Sequence, residues 1–576
     1  MKAINTLLMA AITFTSASFL ACSNDNLTIE NNPTKQGKIV TLTATLSPKG
    51  GTNTKALTDP SDGTITSTWA IDEELLVSYQ KTNDDWEYVK VKVSSIDGSG
   101  NAIVTLNLDD PKNGSDINFN YPYSSAAGEK DYYYDQLGTL ADISQNYDLC
   151  HGDGTLNVVG NVATLADNVS MTRNVFIWKF TFTDGSSDIT NQITSLVIDD
   201  GGCPYTISPN GQSIIYVAMT SNGAPANISI TAATGSGIYT KTKTGVTLEN
   251  GKLYTSNAIA LEEKAVVNLY SKTADYTANN GDVLTGTLDP AYKLIIPMDA
   301  VVMLKNATID YGGYYGAAIT CQGNATIVIA DGTTNSVTVP GGNSPNYSGY
   351  PGILPGAMGT RLTIKGGPTG NGILNVVGGY IAAGIGCTNS SYNDYMYSDD
   401  SGDYSGVIQI DGGVITVTGG EAGIGSVMGG GADNCEGIII NGGNVTATGG
   451  TAGIGSSANC EYITINGGTV NATGGENSPG IGAGPYASCG DITINGGTVT
   501  ATGNGDAAGI GSGAGTPNYT SLTIASGITK VTATRGGNGT AAPIGRGKED
   551  ATSPDPVFSG VTKDDVNSTE STWIYE

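Results

Sequence analysis

Apolar residues in the second half of the chain fall on alternate positions, break at a polar corner and then resume. Ile463-x-Ile465 is followed by the corner Asn466-Gly467-Gly468, then by Val470-x-Ala472 and a closing Gly480-Ile481-Gly482. The same slots recur as Ile408, Ile410, Ile415 and Val417, as Ile438, Ile440, Val445 and Ala447, as Ile492, Ile494, Val499 and Ala501, and as Leu522, Ile524, Val531 and Ala533. Period 2 interrupted by a turn encodes strands joined by bends and excludes helices. Cys435, Cys460 and Cys489 precede successive units at spacings of 25 and 29 residues, in the range that marks a solenoid. One coil cannot bury its own apolar slots, whereas coils stacked about 4.8 Å apart bury a continuous stripe and pair their backbones. The pattern predicts a right-handed parallel β-helix in which Asp411, Asn441, Asn466 and Asn495 align as a polar ladder.

Less regular coils precede these. Val301 to Ile309, Asn324 to Ile329, Leu362 to Gly367 and Ile373 to Gly379 keep the alternation, and Gly384-Ile385-Gly386 keeps the closing turn. The solenoid is therefore placed at 263–550, with 551–576 as a tail that caps its last coil, since a bare solenoid end exposes edge strands. Between Lys38 and Glu262 the pattern is different. Ile39 to Leu46, Leu75 to Tyr79, Tyr88 to Val93 and Ala102 to Leu108 alternate between Gly, Asn, Asp and Pro clusters, as antiparallel sheets with one wet face do. The chain is mainly β throughout.

Several short motifs in this region carry a resemblance. Lys55-Ala56, Thr68-Trp69-Ala70-Ile71-Asp72, Tyr121-Pro122-Tyr123, Asp135 to Leu140, Tyr147-Asp148-Leu149, Val175 to Phe182, and the closing Gly251-Lys252-Leu253-Tyr254 with Ile259-Ala260-Leu261 together resemble the fimbrillin family of Bacteroidales surface proteins. The resemblance implies two transthyretin-like β-sandwich subdomains, at 38–150 and 151–262, on a fimbrial or related adhesin. It also implies proteolytic maturation after Lys55 and assembly with fimbrial subunits by strand addition, for which an open sheet edge is the physical requirement. Asp72-Glu73 stands where that family commonly has Gly-Asp. The coils beyond 263 are similar to glycine-rich repeat domains of gut bacterial surface proteins that carry a carbohydrate-binding label.

The amino terminus adds an address. Lys2, an apolar run from Leu7 and the small residues before Cys22 read as an export signal over 1–21. Phe19-Leu20-Ala21-Cys22 resembles the lipobox of bacterial lipoproteins, which implies acylation of Cys22, a tether at 22–37 and attachment to the outer membrane at the cell surface. An ordinary signal peptide with a chance cysteine is the alternative. The formal charge of −27 over 576 residues argues against nucleic acid as a partner, because phosphate binding needs a basic face. Seven further cysteines at irregular spacing form no disulfide framework. Cys435, Cys460 and Cys489 instead stack as a thiol ladder, or bridge between coils.

Chemistry is sparse. The outward slots of the regular coils are Thr416, Thr418, Thr446, Thr448, Thr464, Asn471, Thr473, Thr493, Thr500 and Thr502, and no carboxylate pair is expected on those strands, so a polysaccharide lyase or hydrolase ranks below a binding protein. No cofactor is expected. Asp394, Asp399, Asp400 and Asp403 crowd one loop that either binds calcium through oxygen ligands or is merely solvated. Tyr392, Tyr395, Tyr397 and Tyr404 lie in the same loop. With Tyr311, Tyr314, Tyr315, Tyr347 and Tyr350 they offer apolar rings with polar tips, suited to glycans or to packing against the coil. The reading is a surface adhesin, fimbrial tip-like or free-standing, that binds a glycan or a host or partner surface through its β-helix.

Overall fold

The computed structural model describes residues 38–47, 69–127, 133, 135–313, 316–339, 349–387, 404–427, 434–515, 517–537 and 539–576. The chain divides into two units, one of Met1–Ile230 with Lys241–Glu262 and one of Thr231–Thr240 with Glu263–Glu576.

In the first unit, Val40, Leu42, Ala44 and Leu46 of the strand Ile39–Leu46 are buried while Ile39, Thr41 and Thr43 face outward or nearly so. This strand pairs antiparallel with Ala102–Asp109 over its whole length. The long strand Trp86–Ile96 pairs with Glu74–Gln80 through its first residues and with Ala102–Asp109 through its last, with an irregularity between Val93 and Ser95. Such an irregularity bends a strand, and here it joins two layers into one nine-stranded sheet among the described residues. Leu42, Val104, Leu75, Val77, Tyr79 and Phe119 meet in its single core. Strands Cys150–Thr155, Asn157–Val159, Val162–Thr164 and Thr172–Arg173 belong to the same sheet, which thus continues past residue 150. The buried Arg173 guanidinium holds Asp148 with two bonds, at 2.5 and 3.0 Å. A three-stranded and a five-stranded sheet follow, the former centred on Phe176–Thr183, whose Phe176, Phe180 and Phe182 are buried.

The second unit is a parallel β-helix with three strand-bearing faces per coil. The first face runs through Ala325–Ile329, Arg361–Gly366, Tyr404–Ile410, Asn434–Ile440, Asn459–Ile465, Ser488–Ile494 and Asn518–Ala525. The second runs through Thr334–Thr338, Ile373–Val377, Val414–Gly419, Asn444–Gly449, Thr469–Thr473, Gly497–Thr502 and Ile528–Thr534. The third holds the Gly-Ile-Gly turns, with Ile385, Ile424, Ile454, Ile481, Ile510 and Ile544 in one buried column. Like stacks on like because the register demands it: Ile440 pairs with Ile465 and Ile465 with Ile494, all fully buried.

The second glycine of each closing turn is forced. Gly482 has φ +130°, and a Cβ there would lie 1.9 Å from the Gly511 carbonyl oxygen of the next coil, so only glycine fits. Inside the next corner, Cys435, Cys460 and Cys489 stack in register as free, buried thiols. Its hydrogen bond with Cys460, together with burial, holds the Cys435 thiol well above its ordinary pKa, so it stays protonated and unreactive. The predicted polar ladder is present. Asn441 Nδ2 donates to Asp411 Oδ1 at 2.8 Å, Asn466 to Asn441 at 2.9 Å and Asn495 to Asn466 at 3.0 Å. Gln409 Nε2 also donates to Asp411 Oδ1 at 2.9 Å, and Lys365 Nζ lies 3.6 Å from the other carboxylate oxygen. A carboxylate only accepts, so Asp411 sets the direction in which every amide above it points.

At the carboxy-terminal end, Val557–Ser559 adds to the first face, and Thr572–Tyr575 adds to the second in the opposite direction. The rings of Phe558 and Tyr575 stack at 4.4 Å over the end of the core, with Trp573 beside them.

Candidate functional site

Each coil turns from its second to its third face through a corner outside the strands. In the amino-terminal coils that corner carries tyrosine every time. Tyr292 lies between Val283–Leu288 and Leu294–Ile296, Tyr311 between Ala300–Asp310 and Ile319–Cys321, Tyr350 between Thr334–Thr338 and Ile353–Leu354, and Tyr380 between Ile373–Val377 and Ile385–Gly386. Tyr270 precedes the first third-face strand, Tyr276–Thr277. Backbone bonds tie these corners together: Gly312 N–H donates to Pro290 at 2.8 Å, Gly379 N–H to the Tyr350 carbonyl at 3.0 Å, and Gly420 N–H to Gly379 at 3.2 Å. From Gly420 onward the corner holds Gly-Glu, Gly-Thr and Gly-Asn sequences and no tyrosine.

Exposure grades these rings. Tyr270 is 82% and Tyr380 56% exposed, and Tyr292 and Tyr350 are half-buried. Tyr311 is only 9% exposed and packs in the solenoid core, so its ring belongs to the fold and not to a ligand surface. Burial also raises its phenol pKa. Tyr404 opens the strand Tyr404–Ile410 in register with Asn434, at a different corner, between the third and first faces. Tyr314, Tyr315, Tyr347, Tyr392, Tyr395, Tyr397, Asp394, Asp399, Asp400 and Asp403 lie outside the described residues, as do Cys22 and Lys55. Tyr270, Tyr292 and Tyr380 were not singled out from the sequence. Aligning coils by their faces, and not by the regular repeat alone, is the signal that finds them.

The first face holds a second polar group that the alternation hides. Glu436 and Glu461 follow the paired Cys435 and Cys460 and so stand on neighbouring strands, which corrects the expectation that these strands carry no carboxylate pair. Glu436 Oε2 accepts from Gly359 N–H at 2.7 Å, and Arg361 donates to Gln409 Oε1 at 2.7 Å. Burial, reinforced by the nearby Glu461 charge, raises the Glu436 pKa against the opposing Gly359 bond and Arg361. The ring of Tyr462 lies where a side chain on Gly437 would be. Burial pushes its phenol pKa up. In the first unit His151 lies 2.8 Å from Asn120 Oδ1 and 2.7 Å from Asp153 Oδ1. Among the described residues no group of three or more His, Cys, Asp and Glu could hold a metal ion.

Comparison with known proteins bears on the coils first. The regular coils match the Beta helix repeat family. The matched segments are 438–458, 463–485 and 492–514. Solved structures similar to the chain include a candidate cell adhesion protein from Bacteroides eggerthii, at 13% identity and TM-score 0.22, over 40% of this chain and 89% of that one. A fimbrial assembly protein from Parabacteroides distasonis is similar at 9% identity and TM-score 0.23, over 38% and 90%. A fimbrial protein from Bacteroides ovatus is similar at 12% identity and TM-score 0.19, over 39% and 51%. Comparison with curated proteins finds no match.

Proposed function

We propose that this chain is a lipid-anchored surface adhesin whose β-helix binds an extended glycan along the tyrosine corner. The observation that carries the reading is the recurrence of tyrosine at one corner of consecutive coils, with the Tyr350 carbonyl bonded to the N–H of Gly379 beside Tyr380, and its abrupt end at Gly420. Rings spaced by the coil repeat suit a ligand that is itself a repeating chain, and aromatic rings with polar tips bind apolar sugar faces and hydroxyls together. Anchoring through Cys22 follows from the lipobox-like Phe19-Leu20-Ala21-Cys22, and maturation at Lys55 and assembly with fimbrial subunits follow from the resemblance of 38–262 to fimbrillins. A free-standing glycan-binding lipoprotein uses the same corner without assembling.

The test is binding to a glycan array by the full chain and by Tyr350→Ala with Tyr380→Ala. Loss of two ring contacts is expected to weaken binding about tenfold, equivalent to ~1.4 kcal/mol, with the melting temperature little changed by the exposed Tyr380. Undiminished binding by the double variant rejects this corner.

One observation favours a second reading. Neighbouring strands set about 4.8 Å apart bring Glu436 and Glu461 near the ~5 Å carboxylate separation of retaining glycosidases, and the raised Glu436 pKa suits a proton donor. Release of new reducing ends from a polysaccharide, lost in Glu461→Gln, would establish that reading over pure binding.

A further inference from the structure

Three rungs of the polar ladder are asparagines followed by glycine: Asn441-Gly442, Asn466-Gly467 and Asn495-Gly496. That dipeptide is chemically labile, because glycine has no side chain to keep its backbone nitrogen away from the asparagine Cγ. Attack by this nitrogen on Cγ forms a new N–C bond and closes a five-membered succinimide. The glycine N–H proton passes through solvent to the side-chain nitrogen, whose bond to Cγ breaks, and ammonia leaves. Water then adds to one of the two ring carbonyls, giving aspartate or, by opening the other C–N bond, a chain linked through the side-chain carboxyl. Water is the sole co-reactant, and nothing is oxidised or reduced.

The three sites share a backbone setting. Each asparagine is exposed, and each donates its backbone N–H to the isoleucine carbonyl of the preceding coil, at 2.8, 2.7 and 2.7 Å. Their side chains differ. Asn441 and Asn466 are held at both ends, donating through Nδ2 to the rung before and accepting through Oδ1 from the rung after. Succinimide closure requires the amide to turn out of that alignment and break both bonds. Asn495 donates at 3.0 Å to Asn466, but Ile494 pairs with Ile524, so the next rung presents Ala525, which has no amide to offer its Oδ1. Gly496 N–H makes a 3.3 Å contact with the Ile465 carbonyl, too long to oppose closure at Asn495 more than weakly. Charge acts in the same direction as the open end of the ladder. A carboxylate made at Asn441 would lie one rung from Asp411, whereas one made at Asn495 would lie three rungs away, about 14 Å, beyond the ~8 Å screening length of physiological salt.

We infer that the ladder protects its Asn-Gly corners in a graded way and leaves Asn495, at its open end, as the site of spontaneous deamidation. The folded full-length protein, held at mildly alkaline pH and sampled by peptide-mapping mass spectrometry, should convert Asn495 several-fold faster than Asn441 or Asn466. In denaturant the three rates should converge. Ala525→Asn adds a rung and should slow conversion of Asn495 several-fold, while Asp411→Ala removes the head of the ladder and should speed Asn441. Equal rates in the folded wild-type protein overturn the inference without recourse to any variant, as does an Asn495 rate unmoved in an Ala525→Asn protein that melts like wild type.

Discussion

Glu436 shows how a single side chain ties the surface of the coils to pH. Burial and the neighbouring Glu461 raise its folded pKa above the unfolded value, so between those two values the folded state binds more protons than the unfolded one, and stability falls as pH rises. Below the unfolded value of about 4.3 the penalty is absent, and above the folded value it is complete. Glu436→Gln keeps an oxygen for Gly359 N–H and removes the charge. It should raise the melting temperature at about pH 7 to 8 and leave it unchanged near pH 4; thermal melts across that range check it, and equal gains at both ends would mean the charge is irrelevant. The pair was not legible in the sequence for a physical reason. Between the inward Cys435 and Ile438 two residues intervene, not one, so the period-2 reading steps over Glu436. Ile465 was legible because isoleucine recurs at its slot in every regular coil, and the ladder because asparagine recurs at 441, 466 and 495. Tyr380 was not, because a lone tyrosine in a degenerate coil has no neighbour in sequence to mark it.

At the scale of strands, alternation located the elements but left some of their partners open. Ile39–Leu46 was readable as half-buried, yet nothing in its pattern says that Trp86–Ile96 will change partners at Val93 and Ser95. That is decided by packing between layers. In the solenoid the partner is implied, because identical coils can stack only on one another. The end of the stack is a separate matter. Thr572–Tyr575 pairs antiparallel with Ile528–Thr534 and brings Tyr575 and Trp573 over the last apolar slots. Removing residues 551–576 would uncover an unpaired strand and the apolar core beneath it, the condition for edge-to-edge association. The truncated protein should retain its β signal in circular dichroism and run as higher-mass species in size exclusion with light scattering. A monomeric, equally stable truncation would show that the tail is dispensable as a cap.

For the whole chain, the two units are encoded by different grammars, sandwich alternation before Glu262 and coil repetition after it. Both were legible at the level of architecture. What was not legible is the shared corner of Tyr270, Tyr292 and Tyr380, which becomes visible only when the degenerate coils are aligned by their faces. The proposed address is tested at Cys22: replacement by serine should abolish incorporation of a labelled fatty acid and move the protein out of the membrane fraction, whereas unchanged labelling would mean that another residue or none is acylated. The near-identical coils between 438 and 514 lie between the tyrosine-bearing coils and the aromatic cap. Because each coil meets its neighbours through the same register, a gene copying error that duplicates or deletes one whole coil leaves every contact type intact. Each such event would move the tyrosine corner relative to the cap by one increment of about 4.8 Å, so lineages can tune their separation in discrete steps without redesigning either end.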